Sequence, residues 1–250
     1  MKRVLSILLL CLPFFASAQT LPVAADKTSY PIQNKAYSVG FSELYGLPIW
    51  SVYTYSPEMK KGIPSAAGEW TTDTRIKANR STAKDFDAFN LNKTQLFPKE
   101  HAISSAEAYK STYLTSNILP MSAALKEHIW DRITDEIEDI GAKTGSVQVY
   151  SGPIFEQEFS KNRFLFGNRV SKPIAFYRIL IYQDEGKWIF KCYKFPNRAP
   201  SDYEKVCDLK EFNYNLYQLE AETGIDFLNQ NMDANFRKQK MEYLQNHINN

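Results

Sequence analysis

The stretch that decides the fold is a turn followed by one long helix. Both lie in residues 115–143, TSNILPMSAALKEHIWDRITDEIEDIGAK. From Ser122 to Lys143 the apolar positions recur at spacings of three and four, which predicts an amphipathic helix with one buried face. His128 falls on that face, so we expect it to be a half-buried side chain and not a metal ligand. The apolar stripe consists of Ala124, Leu125, His128, Ile129, Ile133, Ile137 and Ile140.

Strand patterns lie on both sides of this helix. Residues 36–41 and 48–55 are β-branched and aromatic, and Gly46 and Pro48 separate them, so we predict two paired strands. Residues 147–150, 174–182 and 187–195 follow the same pattern, and Asp184-Glu-Gly186 predicts a hairpin turn between the last two. Further helices are expected at 104–110 and at 209–222, ending near Gly224. These elements predict an α+β domain, a mainly antiparallel sheet packed with helices.

The N-terminus carries the pattern of a signal peptide. Residues 1–18, MKRVLSILLLCLPFFASA, begin with Lys2 and Arg3, continue as an apolar run, and end on Ala16-Ser17-Ala18. The apolar run is too short to cross a bilayer. Cys11 raises a lipoprotein alternative, which the bulky Leu8-Leu9-Leu10 before it disfavours. We therefore predict cleavage near Ala18 and an exported protein, periplasmic or secreted, and no later run is long enough to predict a membrane span.

Charge and cysteine content constrain the partners. Without Lys2 and Arg3 the chain has 28 basic and 28 acidic residues, and this neutrality argues against tight binding to nucleic acid.

Cys192 and Cys207 would remain as an even pair in an exported protein. We predict a disulfide between them, closing a loop of about 15 residues and worth about 3 kcal/mol. The cysteines and the three histidines do not show the spacing of a zinc site.

Six segments carry a family resemblance when they are taken together in order. The segments are GFS with LPIWSVYT (40–42 and 47–54), WTTDTRI (70–76), LFP (96–98), TSNILPM (115–121), VYSGPIF (149–155) and LEAETGIDF (219–227). They resemble the DNA/RNA non-specific endonucleases of the ββα-metal class, and in particular the C-terminal nuclease-like domain of animal ectonucleotide pyrophosphatase/phosphodiesterases. The resemblance implies a ββα-metal nuclease fold over residues 36–228. Outside this domain we expect the signal peptide at 1–18, an N-terminal extension at 19–35 and a polar helical tail at 229–250.

The resemblance also implies a mechanism that this sequence does not support. Active members use the His of an Asp-Arg-Gly-His motif as general base and an Asn on the long helix to hold Mg²⁺. Aligned on residues 96–98, the base position holds Gln95, and the metal-ligand position, four residues before Trp130, holds Lys126. An amide does not accept a proton near neutral pH and an ammonium repels a metal ion. We expect a degenerate active site that needs no cofactor.

Other residues are weaker candidates for a role in the site. His101 is a possible substitute base, with an exposed loop histidine as the plain alternative. Asn117 and Glu220 are weak candidates for metal ligands, with turn and helix packing as their alternatives. Arg75, Lys93 and Lys126 are candidates for an anion-binding cleft, and a solvated charged surface is the alternative. A basic insert at 156–172 would add Lys161, Arg163, Arg169 and Lys172.

Three functions follow from these expectations. The first is a non-catalytic binding or structural module with an exported protein partner, by analogy with the nuclease-like domain that braces a separate catalytic domain in the multidomain phosphodiesterases. The second is a nucleic-acid or nucleotide binder that does not cleave its ligand. The third is a divergent but active Mg²⁺-dependent nuclease or phosphodiesterase that hydrolyses phosphodiester bonds.

Overall fold

The structure is a computed structural model that describes residues 21–62, 68–78, 80–89, 91–156, 169–197 and 208–228, with residues 236, 238, 239, 241 and 242 of the tail. The predicted signal peptide, Lys161, Arg163 and Cys207 lie outside the described residues, as does most of the tail.

A six-stranded antiparallel sheet forms the centre of the described fold. The described strands are β1 (Val23–Ala24), β2 (Ser29–Gln33), β3 (Ser38–Ser42), β4 (Leu47–Tyr55), β5 (Asn92–Gln95), β6 (Ile118–Met121), β7 (Val147–Ile154), β8 (Ala175–Asp184), β9 (Lys187–Pro196) and β10 (Ile225–Asp226). The strand order of the main sheet is β2-β3-β4-β7-β8-β9, and two short two-stranded ladders, β1 with β10 and β5 with β6, accompany it. The predicted strand pairs and the hairpin at Asp184-Glu-Gly186 are confirmed.

The long helix follows the predicted stretch but contains an irregular turn. After α1 (Ala106–Ser111), the chain forms α2 (Ala123–Leu125), a π-helical turn (Lys126–Trp130) and α3 (Asp131–Thr144) without a break in helical backbone. In the π-helical turn the N–H of Asp131 donates to the carbonyl of Lys126, five residues back. A fourth helix, α4 (Leu216–Thr223), ends at Gly224, which has a left-handed backbone as a C-terminal glycine commonly does.

The predicted helix over 209–222 is divided in two. Leu209–Phe212 is a 3₁₀ turn, and Asn213 then pairs as a β-bridge with Tyr193. Asn215 starts α4, because its side chain accepts hydrogen bonds from the N–H groups of Tyr217 and Gln218. The edge of the sheet therefore interrupts the helical pattern.

The sheet separates two apolar layers, because alternate side chains of each strand face opposite sides. On β8, Phe176 and Leu180 pack with α3, whereas Tyr177 and Ile179 pack with α4. The first layer also holds β5 and β6, and it positions the site described below. Ser29–Gln33, within the segment predicted as an N-terminal extension, is a strand of the main sheet. Among the described residues there is no helix of the length and apolar character that crossing a membrane requires.

Candidate functional site

A cleft of about 430 Å³ lies where the β5–β6 ladder meets the start of the long helix. Gln95 is the last residue of β5 and pairs with Ile118 of β6, so the register of this ladder fixes where its side chain points. Lys126, the first residue of the π-helical turn, lines the same cleft. The structure thus brings together the two positions that the family resemblance assigned to the base and the metal ligand.

The amide of Gln95 is held by the neighbouring backbone. Its Nε2 donates to the carbonyl and to the hydroxyl of Thr112, each at 3.0 Å, and its Oε1 accepts from the N–H of Lys99 at 3.3 Å. Both ends of the side chain are committed to these contacts. Gln95 thus holds two segments of the cleft wall together, and it offers no group that accepts a proton.

The ammonium of Lys126 is neutralised within its own helix. Its Nζ donates to Oδ2 of Asp131 at 2.8 Å. The same two residues are also joined through the backbone, because the N–H of Asp131 donates to the carbonyl of Lys126 in the π-helical turn. An ion pair therefore occupies the cleft at the position where the resemblance places the metal-binding Asn.

The charges that line the cleft are balanced. Every lysine of the lining has a carboxylate partner: Lys60 with Glu138, Lys93 with Asp87, Lys99 with Glu100, and Lys126 with Asp131. An anion entering the cleft would have to compete with these partners. Aromatic side chains complete the wall, namely Trp70, Tyr113 and Trp130.

His101 is buried, and it does not line the cleft. One ring nitrogen, Nδ1, lies 3.1 Å from the hydroxyl of Tyr53, and the other, Nε2, lies 3.3 Å from Oε1 of Glu138. This network assigns the ring proton to Nε2, donating to the carboxylate, and leaves Nδ1 to accept from Tyr53. The exposed loop position considered for His101 is wrong, and the lone pair that a base would use faces the core.

Lys60 and Glu138 extend this network to the cleft, and sequence reasoning missed both. The Nζ of Lys60 donates to Oε2 of Glu138 at 2.5 Å. The hydrogen bond from His101, aided by Lys60, lowers the pKa of Glu138 to about 2, whereas burial lowers the pKa of His101. Lys60 and Glu138 lie 78 residues apart in the chain, so no local spacing marks them as partners.

Asn117 is fully buried and bonded to the backbone. Its Oδ1 accepts from the N–H of Phe97 at 2.9 Å, and its Nδ2 donates to the carbonyls of Phe97 and Thr112, each at 3.0 Å. It does not line the cleft. These contacts are those of a residue that stabilises a turn, which was the alternative to a metal-ligand role for Asn117.

Glu220 lies on the opposite side of the sheet from the cleft. It belongs to α4, whose buried Leu219 packs in the layer away from α3, and its Oε1 accepts from the N–H of Phe227 at 3.2 Å. The structure does not bring Glu220 together with Lys126.

Arg75 is likewise separate from the cleft. Its guanidinium makes two hydrogen bonds to the buried carboxylate of Asp73, at 2.9 and 2.7 Å, and others to Gln33 and Asn34. Of the predicted anion-binding set, only Lys93 and Lys126 line the cleft. Within the basic insert, Arg169 donates to the carbonyl of Arg80, and Lys172 is exposed.

The predicted disulfide is not supported, because Cys192 is a buried free thiol. Cys192 faces the layer of α4 from β9, and burial raises the pKa of its thiol. A larger cavity, of about 830 Å³, lies beside it at the edge of the sheet. That cavity holds none of the residues predicted for catalysis, metal binding or anion binding.

Comparisons with known proteins identify the family of this chain. A family model described as DNA/RNA non-specific endonuclease matches residues 18–234. The chain belongs to this family. It is 23% identical over 190 residues to the mitochondrial Endonuclease G proteins of Bos taurus and Homo sapiens, an alignment covering 72% of this chain. It spans 62% and 63% of their lengths, less than two thirds.

A solved structure supports the endonuclease fold independently of sequence identity. The crystal structure of the EndoG/EndoGI complex, described as revealing the mechanism of EndoG inhibition, superposes with a TM-score of 0.70 at 16% identity. The match covers 80% of this chain and 86% of that one. The α+β nuclease fold predicted from the sequence is therefore confirmed.

The pKa shifts of His101 and Glu138 predict that this endonuclease-family protein loses stability in acid. The folded state keeps His101 neutral, whereas the unfolded chain protonates it near pH 6.5, so stability falls as the pH drops below about 6.5. Glu138 adds stability above its ordinary pKa of 4.5, and this contribution is lost between pH 4.5 and about 2.

Urea unfolding between pH 2 and 8 measures this dependence. We expect His101→Gln to flatten the decline between pH 6.5 and 5, because glutamine bonds without titrating. Equal slopes for the wild type and the variant would place the titrating group elsewhere.

Proposed function

We propose that this member of the endonuclease family no longer cleaves phosphodiesters and that it acts, after export, as a binding or structural module. One observation carries the proposal: Gln95 and Lys126 face one cleft at the positions of the base and the metal ligand, and both are engaged in structural contacts. This chain would then have kept the fold of the endonuclease family and lost the family's chemistry.

The chemistry of the cleft supports the loss of a base. Hydrolysis needs a group that takes a proton from the attacking water at neutral pH. Gln95 does not titrate, and the neutral His101 directs its lone pair at Tyr53. Three of the four carboxylates that line the cleft lie beside a lysine, namely Glu100, Asp131 and Glu138, and the pKa of Glu138 is about 2, which makes it a weak base.

The donor set at the ligand position does not suit Mg²⁺. This ion prefers oxygen ligands in octahedral geometry, and Lys126 supplies an ammonium instead. The amide oxygen of Asn117 is already bonded to the N–H of Phe97 in the core. In the part of the chain that the structure describes, no group of three or more His, Cys, Asp or Glu residues is arranged to hold a metal. These features favour a protein that works without a metal cofactor.

The balanced charges favour a protein partner over a polyanion. Nucleic acid binding gains from lysines and arginines that are free to meet phosphates. Here each lysine of the cleft already has a carboxylate beside it. The resemblance to the bracing domain of the phosphodiesterases points the same way, towards an exported protein partner.

A hydrolysis assay tests the proposal. Purified residues 19–250 would be incubated with plasmid DNA, RNA and bis-p-nitrophenyl phosphate, in Mg²⁺, Mn²⁺ or EDTA. We expect no hydrolysis above the EDTA blank. Metal-dependent turnover would contradict the proposal and support the divergent active enzyme, and loss of that turnover in His101→Gln would identify its base.

Export is tested separately. Mass spectrometry of the protein recovered outside the cytoplasm should show an N-terminus at Gln19. An intact leader on the mature protein would contradict the export proposal.

A further inference from the structure

Arg178 is a fully buried arginine in the middle of β8, and it forms no ion pair with a described carboxylate. Its Nη1 donates to the carbonyl of Trp130 at 3.0 Å and to Oγ1 of Thr134 at 2.8 Å. Its guanidinium carbon lies 3.7 Å from the centre of the Trp130 ring. These contacts hold one end of the guanidinium against the start of α3, behind the cleft.

The other end of the guanidinium has no hydrogen-bond partner. Neither Nε nor Nη2 of Arg178 is bonded within the described part of the chain. An unbonded buried donor costs about 1–3 kcal/mol, and more when it is charged. Burial lowers the pKa of Arg178 to about 10, so the group still carries its charge at neutral pH. The interior at this point has an uncompensated positive charge.

Two buried serines lie in the same row of the sheet. Ser151 of β7 is opposite Arg178, and Ser51 of β4 is opposite Ser151. All three residues face the layer of α3, because they alternate with residues of the other layer, and directly opposite residues have Cβ atoms about 4.5–5.5 Å apart. Both serine hydroxyls are fully buried, and among the described residues neither has a partner.

The neighbours of this row do not supply a counter-charge. Tyr193, opposite Arg178 on β9, directs its hydroxyl to both carboxylate oxygens of Glu136 at 3.0 Å. Glu136 also accepts from Lys191 at 2.5 Å. Asp131, the carboxylate that acts on Arg178 through charge, is paired with Lys126.

We propose that Arg178, Ser151 and Ser51 hold a small monovalent anion, chloride, in the interior of the protein. Every unbonded atom in the row can donate a hydrogen bond, so the matching ligand is an acceptor with negative charge. A water molecule would bring its own protons and no charge.

The site would brace the cleft from behind. Arg178 bonds to Trp130 and Thr134, and both line the cleft, so an anion on its free nitrogens fixes the wall that carries Lys126. The inference does not rest on the loss of nuclease activity, and either one stands if the other fails.

The test is urea unfolding of residues 19–250 in sodium chloride and in sodium gluconate at one fixed ionic strength. An anion bound only by the folded state multiplies the folding constant by one plus the ratio of the chloride concentration to Kd, so well above its Kd each tenfold rise in chloride raises the folding constant about tenfold. We expect that response in chloride only. Ser151→Ala should shift the stabilisation by chloride to higher chloride concentrations. Ser146 is an exposed serine just before β7, and Ser146→Ala should leave the stabilisation unchanged.

A direct readout of binding uses the same variants. We expect the ³⁵Cl NMR line to broaden with wild-type protein, and the broadening to fall in Ser151→Ala and in Arg178→Met. Ser151→Ala keeps the guanidinium, so it tests the site even if Arg178→Met does not fold. Equal unfolding midpoints in chloride and gluconate, or a chloride response that Ser151→Ala leaves intact, would overturn the proposal.

Discussion

Replacing Asn117 with Asp is expected to destabilise the protein by about 3 kcal/mol or more and to create no metal site. The side-chain amide donates from Nδ2 to the carbonyls of Phe97 and Thr112, while Oδ1 accepts from the N–H of Phe97. A carboxylate would replace the two donated bonds with an oxygen facing two carbonyl oxygens in the core. The carbonyl of Phe97 would lose this donor, the carbonyl of Thr112 would keep only the bond from Gln95, and the new charge would be buried.

Urea unfolding at pH 7, with and without Mg²⁺, measures this effect. Asn92→Asp is the matched control, because Asn92 is exposed at the start of β5 on the same ladder, and it should change stability by less than about 0.5 kcal/mol. If Asn117 were a metal ligand, Asn117→Asp would be stable and Mg²⁺ would raise its unfolding midpoint. That result would reject the structural role.

The sequence predicts the elements of this fold wherever one local rule determines them. The spacing of Ile133, Ile137 and Ile140 gives the long helix and its buried face, and all three are buried against the sheet. Gly224 correctly predicts the end of α4. The hairpin at Asp184-Glu-Gly186 follows from its turn residues.

The elements that were missed depend on partners distant in the chain. The helix predicted over 209–222 divides because Asn213 pairs with Tyr193 at the sheet edge, and residue periodicity does not detect such a contact. The π-helical turn at Lys126–Trp130 changes the backbone bonds by one residue while the apolar spacing stays the same. The sequence therefore does not reveal that Lys126 is paired with Asp131.

The candidate site was predictable in position and only partly in chemistry. The resemblance assigned Gln95 and Lys126 to one site from segments with clear anchors, and both residues line one cleft. The environment of His101 was not predictable, since its partners Tyr53 and Glu138 lie 48 and 37 residues away. The surroundings of Arg178 were not predictable either, since its contacts with Trp130 and Thr134 lie 48 and 44 residues away in the chain.

Replacing Gly152 with Ala is expected to cost about 3 kcal/mol or more, and this would explain the glycine in the segment VYSGPIF. An added Cβ would lie 2.4 Å from the carbonyl oxygen of Ile49 and 2.4 Å from the hydroxyl of Tyr177. That hydroxyl donates to the same carbonyl at 2.9 Å. The substitution would therefore combine overpacking, about 1–3 kcal/mol, with the loss of a buried hydrogen bond of similar cost.

A double-mutant cycle with Tyr177→Phe separates the two contributions. Tyr177→Phe alone leaves the carbonyl of Ile49 without its donor and should cost about 1–3 kcal/mol. In that background Gly152→Ala should cost less than in the wild type, because the clash with the hydroxyl is gone. It should still destabilise through the clashes with Ile49 and with the ring carbon Cζ of residue 177, which lies 2.6 Å from the added Cβ. We expect an interaction energy of about 0.5–2 kcal/mol by urea unfolding. Additive costs would mean that the hydroxyl does not touch the new methyl group, and wild-type stability of Gly152→Ala would mean that β4 and β7 are further apart at this point.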